Sequence, residues 1–395
     1  MKKKFLFDIT LNVISSALPI LVLQLLVLPL IAKQVGQDDY GLIISLVSVA
    51  YILSQPFGSV MNNLRLLKHE EYKKENIRGD FNYIIIRLII LNLVFVIFAT
   101  IIVSPVFSIL NIVLMIVFST LFLLQNYYIV EYRIHLNFWK ILLLNILLVI
   151  GYVIGLAFFL KGLSWQVIYI VGLLFVLVFL FFKGKLIREP INKTKKFKET
   201  RKDFGILFGS VFLKSSIQHI DKIILLFLLG TSYVSIYYTA TFPSKAIALL
   251  ITPISMVMLS YLRTMKEFNT RNLNLLIIGL ISVGVIGYLL IILLGPYFLS
   301  IFYPDWASES QKLLSVTGLA AIMTLVNGFI NPIILRFRSM KWQFVINLTL
   351  FVSNLLFSLT LGLLFGLYGF AIGVLIAQSI ALLMKLYVFK FTKSI

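Results

Sequence analysis

Ionisable side chains inside long apolar stretches are the residues of this sequence that could do chemistry. Lys214, Asp221 and Lys222 interrupt the apolar stretch 205–229, and Lys245 interrupts the next one. Charged groups are expensive at membrane depth, so they usually line a polar path or bind a ligand. Lysine binds phosphate groups as a point charge. Three lysines against one aspartate therefore indicate a cationic site for an anion such as a phosphate.

The spacing of polar residues puts them on one face of a helix predicted over 205–229. Four of them recur at intervals of four, four and three positions, which is a helical repeat: Ser210, Lys214, Gln218 and Asp221. At a rise of ~1.5 Å per residue, Lys214 and Asp221 lie roughly 5–6 Å either side of the helix centre. Asp221 has two hypotheses, neutralisation of a neighbouring lysine or coupling of transport to a proton or sodium ion.

Three further residues extend the candidate diphosphate site. Lys245 follows Pro243, which removes a backbone donor and can kink or break a helix. His219 is a candidate for a proton relay or for a hydrogen bond between helices. Arg87 lies near one end of the stretch 83–103, where its guanidinium either reaches the membrane surface or contacts substrate. We assign no catalytic residue and no metal ligand.

The composition requires that membrane helices position these residues. Of the 395 residues, 60% are hydrophobic, 13% are charged and none is cysteine. Apolar stretches of about 18 residues or more recur along the chain, which is typical of transmembrane helices. The lack of cysteine excludes disulfides and thiolate metal sites. We expect about twelve spans, near 9–32, 41–61, 83–103, 106–128, 141–160, 165–183, 205–229, 234–259, 273–295, 311–335, 344–364 and 369–390.

The distribution of lysine and arginine predicts the orientation of these spans. If the N-terminus is cytoplasmic, most of the 35 basic residues fall in cytoplasmic segments, whereas Lys33, Lys161 and Lys312 fall outside. This asymmetry follows the positive-inside rule and predicts that both termini are cytoplasmic. The net charge of +20 therefore reflects topology rather than a nucleic-acid partner. The dense basic run 183–202 is interpreted as a solvated linker that touches anionic lipid.

Two pairs of motifs indicate that the halves of the chain are repeats. The motif around Gly36 recurs around Gly230, 194 positions later, and the motif that starts at Pro56 recurs from Pro253, 197 positions later. An even number of predicted spans separates the copies, so the repeats are parallel. We predict an all-α membrane protein of two six-helix lobes around a central cavity. The predicted segments are an N-terminal lobe at 1–183, a basic cytoplasmic linker at 184–204 and a C-terminal lobe at 205–395.

Several short motifs resemble those of polysaccharide repeat-unit flippases. They are the stretch 28–42, the segment 220–225 with Leu229-Gly230, the segment 236–240, and Gly366-Leu-Tyr368-Gly369. The similarity covers nearly the whole chain in span count and loop length, while Gln55-Pro56 departs from the pattern. This family of O-antigen and capsular exporters belongs to the multidrug/oligosaccharidyl-lipid/polysaccharide superfamily.

The resemblance implies a flippase of cell-envelope polysaccharide biosynthesis. Its substrate would be an undecaprenyl-diphosphate-linked oligosaccharide, moved by alternating access from the inner to the outer leaflet of the bacterial cytoplasmic membrane. The diphosphate would contact Lys214 and Lys245. The implied partners are membrane lipids and the polymerase and glycosyltransferases of the same pathway, and no cofactor is implied.

Two other functions stay open. A cation-coupled drug or metabolite antiporter of the same superfamily would need spare carboxylates within the membrane, and the sequence supplies few. A membrane polysaccharide polymerase or lipid-dependent glycosyltransferase would need catalytic acids in an outer segment, and 295–310 offers only Asp305 and Glu309. No GxxxxGK[ST] phosphate loop occurs. We therefore predict a transporter and not an enzyme.

Overall fold

A computed structural model describes residues 2–104, 108–245, 270–338 and 340–391, and these residues form helices and turns without a β-strand. In the first half the helices are α1 (Lys2–Val22), which continues through a π-helical turn (Leu23–Val27) into α2 (Leu28–Val35), α3 (Gln37–Lys74), α4 (Asp80–Val103), α5 (Ile109–Tyr128), α6 (Val130–Ile134), α7 (Phe138–Leu160) and α8 (Gln166–Lys183).

A short 3-10 turn (Leu186–Arg188) precedes the second half of the chain. Its helices are α9 (Phe197–Leu228), α10 (Thr231–Ala240), α11 (Thr270–Phe302), α12 (Ala307–Gln311), α13 (Leu314–Phe337) and α14 (Met340–Phe391), with a 3-10 turn (Pro304–Trp306) before α12. The predicted span 234–259 is described only as far as Lys245, and the Pro253 motif lies outside the described residues.

Nine helical segments of the described chain are long and apolar enough to cross a membrane. The last of them contains a break at Phe365 and Gly366, where Gly366 has φ 61°, so it holds two spans. Helix α9 is more polar, but its 32 residues extend ~48 Å at ~1.5 Å per residue, longer than a hydrocarbon core of ~30 Å. The predicted class, an all-α integral membrane protein, is confirmed.

The chain divides into two compact units, one of residues Met1–Gln34 and Leu42–Ile223 and one of Val35–Gly41 and Ile224–Ile395. In the first unit, α7 packs against α8 through small residues. A Cβ added to Gly151 would lie 2.5 Å from the Cα of Gly172. Such close backbone approach is how glycines hold membrane helices together without a hydrophobic driving force.

The second unit includes the short segment Val35–Gly41, which packs on the start of α10. Gly36 (φ 81°) and Gly230 (φ 105°) each precede a helix with a positive φ, which glycine adopts without steric cost. Thr231 Oγ1 donates to Asp38 Oδ1 at 2.9 Å, and Ser235 Oγ donates to the Gln37 carbonyl at 2.5 Å. The equivalent loops of the predicted repeat therefore contact each other.

The basic segment 184–204 is tied to α3 and α4, although many of its side chains are exposed. Arg65 donates to both carboxylate oxygens of Glu189, at 2.6 and 3.0 Å. The buried Asp80 accepts from the Thr194 backbone N–H at 2.7 Å and from the Thr194 hydroxyl. Because both anchors lie in the first unit, they fix the path by which the chain enters α9.

Candidate functional site

Helix α9 carries most of the predicted site residues, and its contacts with α3 fix its rotation. Ser215 Oγ donates to the Tyr51 carbonyl at 2.8 Å, and the His219 ring stacks on the Tyr51 ring at 4.9 Å between centroids. Closer to its start, Phe208 stacks on Phe57 at 5.1 Å. These residues define the packed face, and His219 lies on it in a contact between helices.

A second face of α9 is exposed, and several of its residues are polar. Five residues at intervals of four positions are exposed along this face: Lys202, Ile206, Ser210, Lys214 and Gln218. Beside them, a Cβ added to Gly205 or Gly209 would meet no atom within 4 Å. Intervals of four keep residues on one stripe of a helix. Of the polar stripe predicted from Ser210 to Asp221, the part up to Gln218 is therefore exposed, whereas the Asp221 side chain is only 14% exposed.

Lys214 is the charged residue of this stripe that lies at membrane depth. It precedes Leu228, the end of α9, by about 21 Å at ~1.5 Å per residue, less than a hydrocarbon core of ~30 Å. No carboxylate of the described chain lies within ion-pairing distance of the Lys214 ammonium. Since an ammonium facing bare lipid would be costly, this face of α9 suits water or a polar ligand.

Asp221 neutralises Lys222 rather than Lys214. Lys222 Nζ lies 2.6 Å from Asp221 Oδ1, and the two side chains are 9% and 14% exposed. The contact is an ion pair without hydrogen-bond alignment, since Asp221 Oδ1 has no hydrogen-bond partner among the described atoms. Lys222 Nζ instead donates to the Gln218 carbonyl at 2.8 Å. The acid of this span is therefore committed to its neighbour, and Lys214 keeps its charge uncompensated within the described residues.

Lys245 lies just beyond α10, in the second unit. Helix α10 ends at Ala240, before Pro243, whose ring nitrogen cannot donate the next helical hydrogen bond. Lys245 Nζ lies 3.5 Å from the centroid of the Tyr238 ring, a cation–π contact. The side chain is partly exposed. Lys214 belongs to the first unit and Lys245 to the second.

Arg87 lies far from Lys214. Its guanidinium is 4.5 Å from the Tyr83 ring centroid and 5.8 Å from that of Phe197, the first residue of α9. From Phe197 to Lys214 the rise along α9 is about 25 Å at ~1.5 Å per residue. A single diphosphate cannot bridge that distance, so Arg87 and Lys214 cannot contact the same one.

Several basic residues that follow the positive-inside pattern are buried in the structure. Arg65 and Lys68 are 4% and 7% exposed, and Lys68 Nζ lies 2.6 Å from Glu199 Oε1. Lys385 is 5% exposed and donates to the Asn327 carbonyl at 2.9 Å. Their partners lie 58 to 131 positions away in the chain, so no local spacing reveals them.

No family model matches the chain. A curated relative, the capsular polysaccharide biosynthesis protein CapF of Staphylococcus aureus, is 24% identical over 408 residues that cover 99% of either chain. The similarity therefore extends over nearly the whole length of both chains.

Solved structures of transporters share the fold. The lipid II flippase MurJ in its inward closed conformation superposes with a TM-score of 0.70 at 18% identity, covering 98% of this chain and 86% of that one. An inward-facing MATE family multidrug resistance transporter of the MOP superfamily gives a TM-score of 0.65 at 15% identity, covering 95% and 97%. The superpositions agree with the resemblance that the sequence motifs indicated, and the chain shares the fold of these two membrane transporters.

Proposed function

We propose that this chain is a flippase that moves a polyprenyl-diphosphate-linked oligosaccharide repeat unit across the bacterial cytoplasmic membrane by alternating access. The fold shared with the lipid II flippase MurJ and the similarity to CapF support a lipid-linked glycan as the class of substrate. One observation carries the proposal: the Lys214 ammonium is exposed on the polar face of α9 and has no acid partner in the described chain.

The physical barrier to this transport is the desolvation of the head group. Each sugar hydroxyl left without a hydrogen bond in hydrocarbon costs roughly 2–7 kcal/mol. A polar helix face with an uncompensated cation lowers that barrier for a diphosphate and its glycan, while the polyprenyl chain stays in lipid. Lys214 is the primary diphosphate contact in this proposal, Gln218 offers an amide to the head group, and Lys245 remains the second candidate cation.

The membrane potential adds a direction to the movement. Because the inside is negative, an anion that moves outward is driven by the potential and gains about 2.3 kcal/mol per charge for each 100 mV crossed. A diphosphate held by lysines is partly neutralised, so the net charge that moves with it sets this gain. The proposed orientation places both termini in the cytoplasm, as the distribution of basic residues predicts.

The test replaces Lys214 by Gln in the full chain, reconstituted in proteoliposomes that contain the lipid-linked oligosaccharide. Protection of the glycan from an external glycosidase reports translocation. Loss of one charge-assisted contact predicts a fall in rate of roughly 10- to 100-fold. Lys214→Arg keeps the charge and is expected to retain most of the rate.

Lys198→Gln is the matched control, because Lys198 is an exposed lysine near the start of the same helix. It removes the same charge away from membrane depth and should leave transport unchanged. Gly209→Trp fills the open space beside Lys214 and is expected to block transport while the protein stays folded. Equal transport by Lys214→Gln and Lys198→Gln would contradict the proposal.

A cation-coupled multidrug antiporter is the second candidate, because the MATE fold also matches. Coupling would need a carboxylate free to bind a proton or sodium ion, whereas Asp221 is paired with Lys222. Gradient-driven drug efflux that Asp221→Asn abolishes, with no movement of lipid-linked glycan, would favour the antiporter. The partnership with a polymerase and glycosyltransferases of the same pathway stays a prediction.

A further inference from the structure

A second group of cations lies at the start of α4, and the proposed transport does not use it. Arg87 and Lys193 approach the same two aromatic rings. The Arg87 guanidinium lies 4.5 Å from the Tyr83 centroid and 5.8 Å from the Phe197 centroid. Lys193 Nζ lies 5.1 and 5.5 Å from the same two centroids. The two rings meet edge to face at 5.4 Å. The two like charges therefore share one pair of aromatic rings as neighbours.

Nothing in the described chain neutralises these two charges. Arg87 donates to the Tyr83 hydroxyl at 2.5 Å, and neither cation has a carboxylate within ion-pairing distance among the described residues. A guanidinium has five N–H donors and an ammonium has three. Both side chains are exposed, so most of these donors are available to an external anion.

The surface beside this pair is apolar and continues along α4. Four exposed residues follow Arg87 on the same face at helical spacing: Ile90 (60% exposed), Val94 (42%), Phe98 (62%) and Ile101 (45%). From Arg87 to Phe98 the stripe extends about 17 Å at ~1.5 Å per residue. One leaflet of a hydrocarbon core of ~30 Å is about 15 Å deep. The stripe therefore matches the length of one acyl chain.

We propose that Arg87 and Lys193 bind the phosphate of an anionic phospholipid whose acyl chain lies along Ile90, Val94 and Phe98 on α4. A free phosphate would satisfy the charges but would leave the adjacent apolar stripe without a role. The site lies about 25 Å along α9 from Lys214 at ~1.5 Å per residue, so it is distinct from the proposed diphosphate contact. Lys193 precedes Thr194, which Asp80 binds, so the lipid also joins the segment 184–204 to α4.

The experiment measures lipids that stay bound to the purified full chain in detergent, by native mass spectrometry. The probes are phosphatidylglycerol and phosphatidylcholine of equal chain length. For the double variant Arg87→Gln/Lys193→Gln we expect the affinity for phosphatidylglycerol to fall roughly 5- to 30-fold, with phosphatidylcholine unaffected. The control Lys183→Gln/Lys198→Gln removes two exposed lysines at other positions and should change binding less than about twofold.

Further outcomes distinguish a bound phospholipid from free phosphate and from the transported substrate. Unchanged phosphatidylglycerol binding in the double variant, or an equal loss in the control, overturns the proposal. Displacement of the lipid by millimolar inorganic phosphate also overturns it, because the acyl chain would then contribute nothing. Loss of glycan translocation with unchanged phosphatidylglycerol binding would assign Arg87 to the substrate path instead. A transport defect of Lys214→Gln with normal lipid binding leaves this site intact, so the two proposals fail separately.

Discussion

Two lysines in the apolar helices, one in each compact unit, meet opposite environments. Lys214 on α9 is exposed, and no acid of the described chain pairs with it. Lys385 on α14 is 5% exposed, and its ammonium donates to the Asn327 carbonyl at 2.9 Å. A charge in a membrane helix that stays accessible is available to a ligand. A charge that is buried against a carbonyl instead contributes to helix packing.

The neighbours of each lysine explain the difference. On α9, Ser215 and His219 hold the adjacent face against α3, so Lys214 turns away from the packed interface. Near Lys385, the Asn327 amide also donates to the Gln378 carbonyl at 2.9 Å, which joins α13 to α14. Lys385 therefore extends an existing polar contact between two helices, whereas Lys214 extends none.

Reversal of charge at Lys214 should give the largest effect. Lys214→Glu replaces an attraction to the diphosphate by a repulsion, and we expect translocation to fall at least about 100-fold. The thermal unfolding temperature should stay unchanged because the side chain is exposed. Glycosidase protection in proteoliposomes measures the rate. Normal transport by this variant would show that transport does not need the charge of Lys214, and Lys214 would then not differ from Lys385 in function.

The second effect concerns stability and the pair of Asp221 with Lys222. Asp221→Asn leaves the buried Lys222 ammonium without its counter-charge, and we expect a loss of about 3 kcal/mol in the free energy of unfolding. Adding Lys222→Gln removes the stranded charge and should recover most of the loss. Unfolding of the three variants in detergent provides the measurement. If Asp221→Asn alone were as stable as the unmodified chain, Asp221 would not be neutralising the charge of Lys222.

A smaller change is expected at Lys385. Lys385→Met removes a buried ammonium, while the Asn327 carbonyl can keep its hydrogen bond within α13. Replacing a buried charge by an apolar side chain of similar length is often neutral, so we expect stability within about 1 kcal/mol and normal transport. Strongly reduced transport in a folded Lys385→Met protein would erase the distinction from Lys214.

The smallest effect is expected at the ion pairs of the segment 184–204 with Glu75, whose side chain is 33% exposed. Hydrogen bonds from Lys196 and then Lys195 hold the pKa of Glu75 below its usual value of 4.5. A carboxyl whose pKa is lowered by folding stabilises the fold at pH values above its pKa in the unfolded chain. This stabilisation is lost as the pH falls through its pKa in the folded chain. Lys196→Gln should lower the unfolding temperature by about 1 °C at pH 7. The difference should vanish at acidic pH, and a difference that persists there would contradict the ion-pair origin.

The sequence by itself determined the fold class and the polar stripe on α9. Apolar stretches along the whole chain indicate that it lies in the hydrocarbon of a membrane. There the backbone N–H and C=O groups must bond to each other, which a helix achieves within one segment. Once α9 is a helix, the spacing of Ser210, Lys214 and Gln218 places them on one face. The repeat of the Gly36 motif around Gly230 predicted two lobes, and that division into lobes stays a prediction.

Only the tertiary structure decided which charges are free. The sequence could not show that Asp221 forms an ion pair with Lys222 or that Arg65 forms one with Glu189. Nor could it show that Arg87 contacts α9 at a point about 25 Å from Lys214. A helical repeat fixes the angle between residues on one helix, but not the rotation of that helix against its neighbours. That rotation comes from packing contacts between residues distant in the chain, such as Ser215 with Tyr51, and it decides whether a lysine is buried or open to a ligand.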